Sequence, residues 1–473
     1  MYSLLFLAVV SFTISLCLTP FIRNLFNRLK IVDRPDEFRK LHAHPIPRVG
    51  GIALAIAYAA SLGALGLSSL TVGHWVRDYL GAGLLLAPAV LLVFAVGLLD
   101  DLYDIRPWQK IAVQLAAAIL AYAVGGVHIR AIGGYPLPDT LAFAVTIFWL
   151  LACTNAFNLI DGVDGLAAGV GLFATLTILL AALQVNNYAL AVLTVPLVGA
   201  LAGFLRYNFN PATIFLGDSG SLLIGFLLGC YGVLWSQKSA TMLGMTAPLM
   251  ALAIPLLDTA LAIVRRFLRQ QPIFTGDRKH IHHQLLNKKG MTPRRVALIL
   301  YGVAGICAIL SLLMSLAREQ FTGLILVIFA AVTWVGIQHL GYIEFGTASR
   351  MVRSGSFRRL LNSQLALNDF EQELKSAAND EDIWTVLGQE CRKFGFVRVD
   401  LHIHGRHFSA NYEEGSTECW HLRVPLSPTD YVLFQRPHNC ETNTTMVVPF
   451  ADVVRRTLQE KTQLFVRSVS AAV

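Results

Sequence analysis

Eleven apolar stretches, each not far from twenty residues long, limit what this chain can become. They run over 2–22, 49–70, 79–99, 108–125, 140–157, 166–185, 189–207, 219–236, 244–266, 294–316 and 322–341. A helix of about 20 apolar residues crosses the hydrocarbon core of a bilayer. Lipid offers no partners to backbone N–H and C=O groups, so such stretches must close their own hydrogen bonds as helices. Hydrophobic residues make up 55% of the chain and charged residues 14%, which is too apolar for an ordinary soluble protein. The expected fold class is an all-α polytopic membrane protein with about eleven transmembrane helices over 1–341. From Gly341 onward the sequence turns mixed and polar, and 342–473 is expected to be a separate soluble α+β domain.

Met1 to Phe21 lacks a basic leader and a small-residue cleavage site, so it reads as the first span. The seven cysteines contain no Cys-x-x-Cys pair, which argues against a disulfide framework. The net charge of +8 needs no nucleic-acid partner, because the basic residues sit in loops between apolar segments.

Those loops also set sidedness, since Lys and Arg favour the cytoplasmic side. The loop after the first segment carries seven of them, Lys40 and Arg48 included, and the loop after the ninth carries nine, from Arg265 to Arg295. The opposite loops hold only Arg77, Arg130, Lys238 and Arg318. With Met1 outside, parity brings four polar islands to the cytoplasmic face: Leu98–Asp104, Asn155–Gly169, Phe215–Ser221 and Asp277–Leu286. It places the C-terminal domain on the same side.

A charge near a bilayer centre costs about 2.5–3.5 kcal/mol on insertion scales, so acids and amides interrupting apolar runs point to a polar site at the membrane face. Asp100, Asp101, Asp161, Asp164 and Asp218 supply hard oxygens of the kind Mg²⁺ prefers, with Asn155 and Asn158 beside them. Read blandly, Asp161-Gly-Val-Asp164-Gly is a turn and Gly217-Asp218-Ser219-Gly220-Ser221 a helix cap. Read functionally, the second is a helix N-terminus fit for phosphate. Arg278, His280, His282 and His283 form a donor-rich loop, either a transition-metal site or a diphosphate clamp, and the neighbouring cations favour the clamp. Lys40 and Arg48 either meet a lipid phosphate or anchor a helix at an anionic leaflet. Together these features suggest phosphoryl transfer between a soluble diphosphate and a lipid phosphate. A transporter of an anionic phosphorylated solute is the competing reading. Transporters place such groups near the bilayer midplane, whereas these lie at segment ends on one face.

LLDDLYD, NAFNLIDGVDGLAAG, FLGDSGS and KHIHHQLL, in that order, resemble the polyprenyl-phosphate N-acetylhexosamine-1-phosphate transferases of glycosyltransferase family 4 type over residues 1–341. The resemblance is strongest to the bacterial undecaprenyl-phosphate GlcNAc-1-phosphate branch. Phospho-MurNAc-pentapeptide translocase is a more distant relative. The resemblance implies a UDP-N-acetylhexosamine donor, an undecaprenyl phosphate acceptor, UMP as leaving group, and Mg²⁺ with Mn²⁺ as a substitute. It also implies a multi-pass protein of the bacterial inner membrane that initiates a lipid-linked cell-envelope glycan, with a homodimer among its expected assemblies. Carried over, Asp100 and Asp101 match the acidic pair near the lipid phosphate. Asp218 matches the principal metal ligand, and Asn158 and Asp161 match nucleotide- and metal-side residues. Asp164 matches the second carboxylate of the DG motif, and His280, His282 and His283 match the histidine loop. On this reading Asp101 positions the acceptor or takes its last proton.

The C-terminal part is the departure. Its pattern predicts an amphipathic segment over 357–374, a helix at 381–394, strands at 396–403, 420–424 and 431–434, and a helix near 448–464. That order resembles a GAF-like sensor module. A packing or assembly domain fits the pattern equally.

Overall fold

Where the chain runs apolar, it runs helical. The computed structural model describes residues 2–33, 45–67, 71–132, 135–237, 245–268, 280–288, 290–316, 319–340, 356–412, 418–438 and 447–472. Two compact units emerge, Met1–Tyr342 and Ile343–Val473.

The first unit is built from helices α1 (Tyr2–Arg28), α2 (Gly50–Gly66), α3 (Thr71–Tyr103), α4 (Pro107–Ala123), α5 (Asp139–Ile160), α6 (Leu166–Gln184), α7 (Tyr188–Asn208) and α8 (Gly217–Gln237). It continues with α9 (Thr246–Ala251), α10 (Ala253–Leu268), α11 (Ile281–Leu286), α12 (Pro293–Leu316) and α13 (Glu319–Leu340). A two-residue ribbon, β1 (Ala131–Ile132) with β2 (Tyr135–Pro136), precedes α5. Among the described residues seven helices are long and apolar enough to cross a membrane: α1, the Gly83–Tyr103 part of α3, α5, α6, α7, α8 and α12.

Two expectations change here. The third segment is longer than its apolar run, and α3 extends through Asp100 and Asp101, which therefore sit on a helix end and not in a loop. The ninth segment is not continuous. It divides at Leu252 into α9 and α10. Pro255 explains the break, because it has no N–H to give to the carbonyl of Ala251 and its ring crowds that carbonyl. Within the first turn of a new helix the missing N–H costs nothing.

Helix α8 is the axis of the unit, packed by α2, α3, α5, α6 and α7. Its apolar length is 89% buried. Helix α1 closes on α7 through polar contacts suited to lipid surroundings. Ser11 Oγ donates to the Pro196 carbonyl at 2.6 Å and Ser15 Oγ to the Ala200 carbonyl at 2.7 Å.

The second unit holds α14 (Ser356–Ser376), α15 (Asp380–Lys393), strands β3 (Arg398–Ile403), β4 (Arg406–Asn411), β5 (Cys419–Pro425) and β6 (Tyr431–Pro437), and α16 (Val447–Ala472). The sheet is wholly antiparallel, in the order β4-β3-β6-β5. Strand β4 was not expected, because Arg406–Asn411 is polar along most of its length. Its turn has positive φ at both His404 and Gly405, 50° and 76°, as a two-residue type I′ hairpin turn requires. The inward faces of the strands and the helices share an aromatic core. Within it Phe394 lies 4.7 Å from Phe450, and Phe396 lies 4.9 Å from Phe434.

Candidate active site

The end of α3, the start of α4, the end of α5 and the start of α8 meet at one point. Ile105 N–H donates to Asp100 Oδ1 at 3.1 Å, which turns the chain out of α3, and Pro107 then opens α4. One turn into α4, Lys110 extends its ammonium between two acids, 2.9 Å from Asp100 Oδ2 and 2.6 Å from Asp218 Oδ2. Arg48 pairs with the other oxygen of Asp218, and Asn158 Nδ2 donates to Oδ2 at 3.2 Å. Ser221 Oγ donates to Asn158 Oδ1 at 3.0 Å, which fixes the amide.

Asp101 faces the start of α8. Its oxygens accept the N–H groups of Asp218 at 2.7 Å and Ser219 at 3.0 Å, and the Ser219 hydroxyl at 2.6 Å. Arg48 Nε stands 3.7 Å away. Gly217 makes the approach feasible. It takes φ of 75°, and a Cβ there would lie 2.5 Å from the Arg48 carbonyl oxygen and 2.6 Å from Asp101 Oδ2. The geometry commits Asp101 to holding the helix that carries Asp218.

Asp161 follows α5 and is half-buried, and its carboxylate has no hydrogen bond among the described residues. Burial pushes it well above the usual carboxylate range, against the pull of Arg48 and with the nearby acids adding to the rise. Asp164 turns elsewhere. Its Oδ2 accepts Asn210 Nδ2 at 2.9 Å and the Ala212 N–H at 3.0 Å, pinning the turn to the loop after α7. Asn155 tethers α5 to α4 through Gln114 Oε1 at 2.7 Å.

The histidine loop lies against that same turn. A Cβ on Gly162 would stand 2.6 Å from His282 Nε2, so only glycine admits the ring. His282 stacks parallel to His280 with centroids 5.8 Å apart and sits 4.3 Å from His283. Burial, with His283 adding to the effect, pushes its ring down to about 3, so the ring is neutral near pH 7. Arg278 and Lys40 lie outside the described residues.

Sequence reasoning missed Lys110 and Asp258, and took Ser219 and Ser221 only as part of the turn opening α8, not as side-chain partners of Asp101 and Asn158. The first two had a signal, since an ionisable residue inside an apolar run marks a functional site by default. Among the described residues no three His, Cys, Asp or Glu side chains converge as a ready metal site. Hard oxygens do converge at Lys110, which bridges Asp100 and Asp218 where a cation sits between two carboxylates. That donor set fits Mg²⁺, which takes one or two carboxylates and leaves the rest of its sphere to water and phosphate.

Glycosyl transferase family 4 matches residues 83–236, which span α3 to α8. A Bacillus subtilis (strain 168) protein described as a probable undecaprenyl-phosphate N-acetylglucosaminyl 1-phosphate transferase is 32% identical over 338 residues, covering 68% of this chain and 88% of its own. The decaprenyl-phosphate N-acetylglucosaminephosphotransferase of Mycolicibacterium smegmatis is 35% identical, over 61% of this chain and 77% of that protein. The undecaprenyl-phosphate alpha-N-acetylglucosaminyl 1-phosphate transferase of Escherichia coli (strain K12) is 31% identical, over 62% and 79%. The chain that gathers Asp100, Asn158 and Asp218 at one end of α8 thus belongs to glycosyl transferase family 4, in its undecaprenyl-phosphate N-acetylglucosaminyl 1-phosphate transferase branch.

Proposed function

We propose that this chain transfers N-acetylglucosamine 1-phosphate from UDP-GlcNAc to undecaprenyl phosphate and releases UMP. Transfer of GlcNAc-1-phosphate to a polyprenyl phosphate follows from the branch. The donor nucleotide and the chain length are our reading. One observation carries it: two cations, Arg48 and Lys110, share the Asp218 carboxylate at a membrane-helix end, beside the uncommitted Asp161.

A lipid monophosphate is largely ionised near pH 7, with a second pKa of about 6, and needs little help from a base. Its oxygen attacks the β-phosphorus of the donor. The new O–P bond forms as the bond to the bridging oxygen breaks, and UMP leaves with that oxygen and its electron pair. Arg48 and Lys110 supply positive charge to the phosphates, and the histidine loop grips the diphosphate. Mg²⁺ held by Asp218, with Asn158 and Asp100, would neutralise diphosphate charge. Asp101 acts by holding the first turn of α8.

The proposal extends to eleven spans with the site and the second unit on the cytoplasmic side of the inner membrane, and to a homodimer. Support for the spans and their sidedness comes from the Lys and Arg bias of the loops and from helices at each expected segment. For the second unit we propose a regulatory or assembly role. A GAF-like sensor is one form, supported by the antiparallel sheet backed by helices.

Membranes carrying the protein, given radiolabelled UDP-GlcNAc and undecaprenyl phosphate, should yield labelled lipid and equimolar UMP. Labelled sugar crossing into vesicles with no lipid product would favour the transporter instead. A donor chiral at the β-phosphorus should give inverted product, whereas retention would show a covalent aspartyl route.

A further inference from the structure

Helix α10 buries charged side chains among apolar ones on its inner side. Asp258, Leu261, Ala262 and Arg265 are buried, while Ile263, Val264 and Phe267 are exposed. Asp258, 1% exposed, reaches from this helix to the histidine loop. Its Oδ1 accepts the Ile281 N–H at 2.8 Å, and its Oδ2 lies 3.1 Å from His280 Nδ1. One carboxylate thereby satisfies an N–H in the first turn of α11 and orients the ring just before it. The loop also presses His282 against Gly162, directly after α5, and α10 packs on α5.

We infer that Asp258 is a positioning residue for the donor-binding histidine loop, holding hydrogen on His280 Nδ1 so that Nε2 of the neutral ring accepts from an O–H or N–H group of the UDP-sugar. This rests on the proposed function, in which the loop binds the UDP-sugar donor. An ionised carboxylate only accepts hydrogen bonds, so the ring must carry hydrogen on Nδ1 whatever its charge. Such a partner sets a histidine's tautomer and orientation, and losing one behind a metal-bound histidine costs 10–100-fold, the nearest measured analogue. The break before α10 contributes too. It lets this acid-bearing segment follow its own course instead of continuing α9.

Asp258→Asn tests the assignment in the full-length protein. The amide oxygen can still accept the Ile281 N–H, but the amide nitrogen now faces Nδ1, and a neutral ring must move its hydrogen to Nε2. Nitrogen-15 spectra of histidine-labelled protein should show that move. The KM for UDP-GlcNAc should rise about tenfold or more, with the KM for undecaprenyl phosphate within about twofold. In a double-mutant cycle with His280→Gln the effects on KM should be non-additive. An unchanged tautomer, or additive effects, overturns the assignment. A tautomer that moves without change in the donor KM also overturns it, and leaves the transferase reading intact. That reading fails separately, if the wild type makes no lipid product. Should the Asn variant not accumulate, Asp258→Glu keeps the acceptor but displaces it by a methylene. A raised KM for UDP-GlcNAc alone is then expected, and an unchanged one overturns the assignment.

Discussion

Asp101 holds the first turn of the helix that carries Asp218, accepting its N–H at 2.7 Å and that of Ser219 at 3.0 Å. Adjacent acids on α3 therefore do different work. Asp100 reaches Lys110 and the charge cluster, while Asp101 secures the helix on which the cluster is built.

Asp101→Ala should lower both stability and rate. The lost cap costs about 1 kcal/mol, and buried N–H groups left without an acceptor cost about 1–3 kcal/mol each. The melting temperature of detergent-solubilised protein and the initial rate of lipid product report the two effects. Wild-type values for both would show that the α8 cap is dispensable.

Asp218→Asn should leave less than about one part in 10² of the transfer rate. It removes the anion that Arg48 and Lys110 share, and the proposed metal ligand with it. A rate within about threefold of wild type at saturating Mg²⁺ would remove Asp218 from the chemistry. Lys110→Gln should reduce the rate less, because Arg48 stays on the other oxygen.

His282 gives a pH test. Its folded ring, held near 3 by burial, stays neutral where an unfolded histidine, with a pKa of about 6.5, takes a proton. Unfolding therefore binds a proton below about pH 6.5, and stability falls with pH by up to about 1.4 kcal/mol per unit. His282→Gln should flatten that acid-side loss in melting temperatures measured from pH 7 to pH 5. An unchanged slope would mean the ring is not buried neutral.

Chemistry should survive without the second unit. Asp100, Asp101, Asp161, Asp218 and His282 all belong to Met1–Tyr342. A chain ending between Gly341 and Ser349 should insert and transfer GlcNAc-1-phosphate at a rate within about threefold of the full chain. A truncated protein that inserts but makes no product would place part of the site in the second unit.

Much of this arrangement was legible because lipid makes polarity conspicuous. Asp100, Asn158 and Asp218 stand out against apolar neighbours, and parity alone put their segment ends on one side. Composition does not say which oxygen faces which donor. Asp101 and Asp164 look like Asp100 and Asp161 in sequence, yet they spend their oxygens on backbone N–H groups and an amide. Lys110 and Asp258 escaped because each lies within an apolar run that was read as plain span. The break at Leu252 and the strand at Arg406–Asn411 were signalled by Pro255 and by His404-Gly405, cues shorter than the periodic patterns around them.

Arg48 and Lys110 are resident counter-ions of Asp218. A site that already balances its own charge admits a new cation only by exchange, and each exchange releases a guanidinium or an ammonium to face an incoming phosphate. Occupation of the acid by a divalent ion and capture of the anionic donor would thus be energetically linked. By reciprocity, whatever factor one gains from the other is returned in full. Neutralising either basic side chain would weaken that linkage as well as the affinity for each ligand alone.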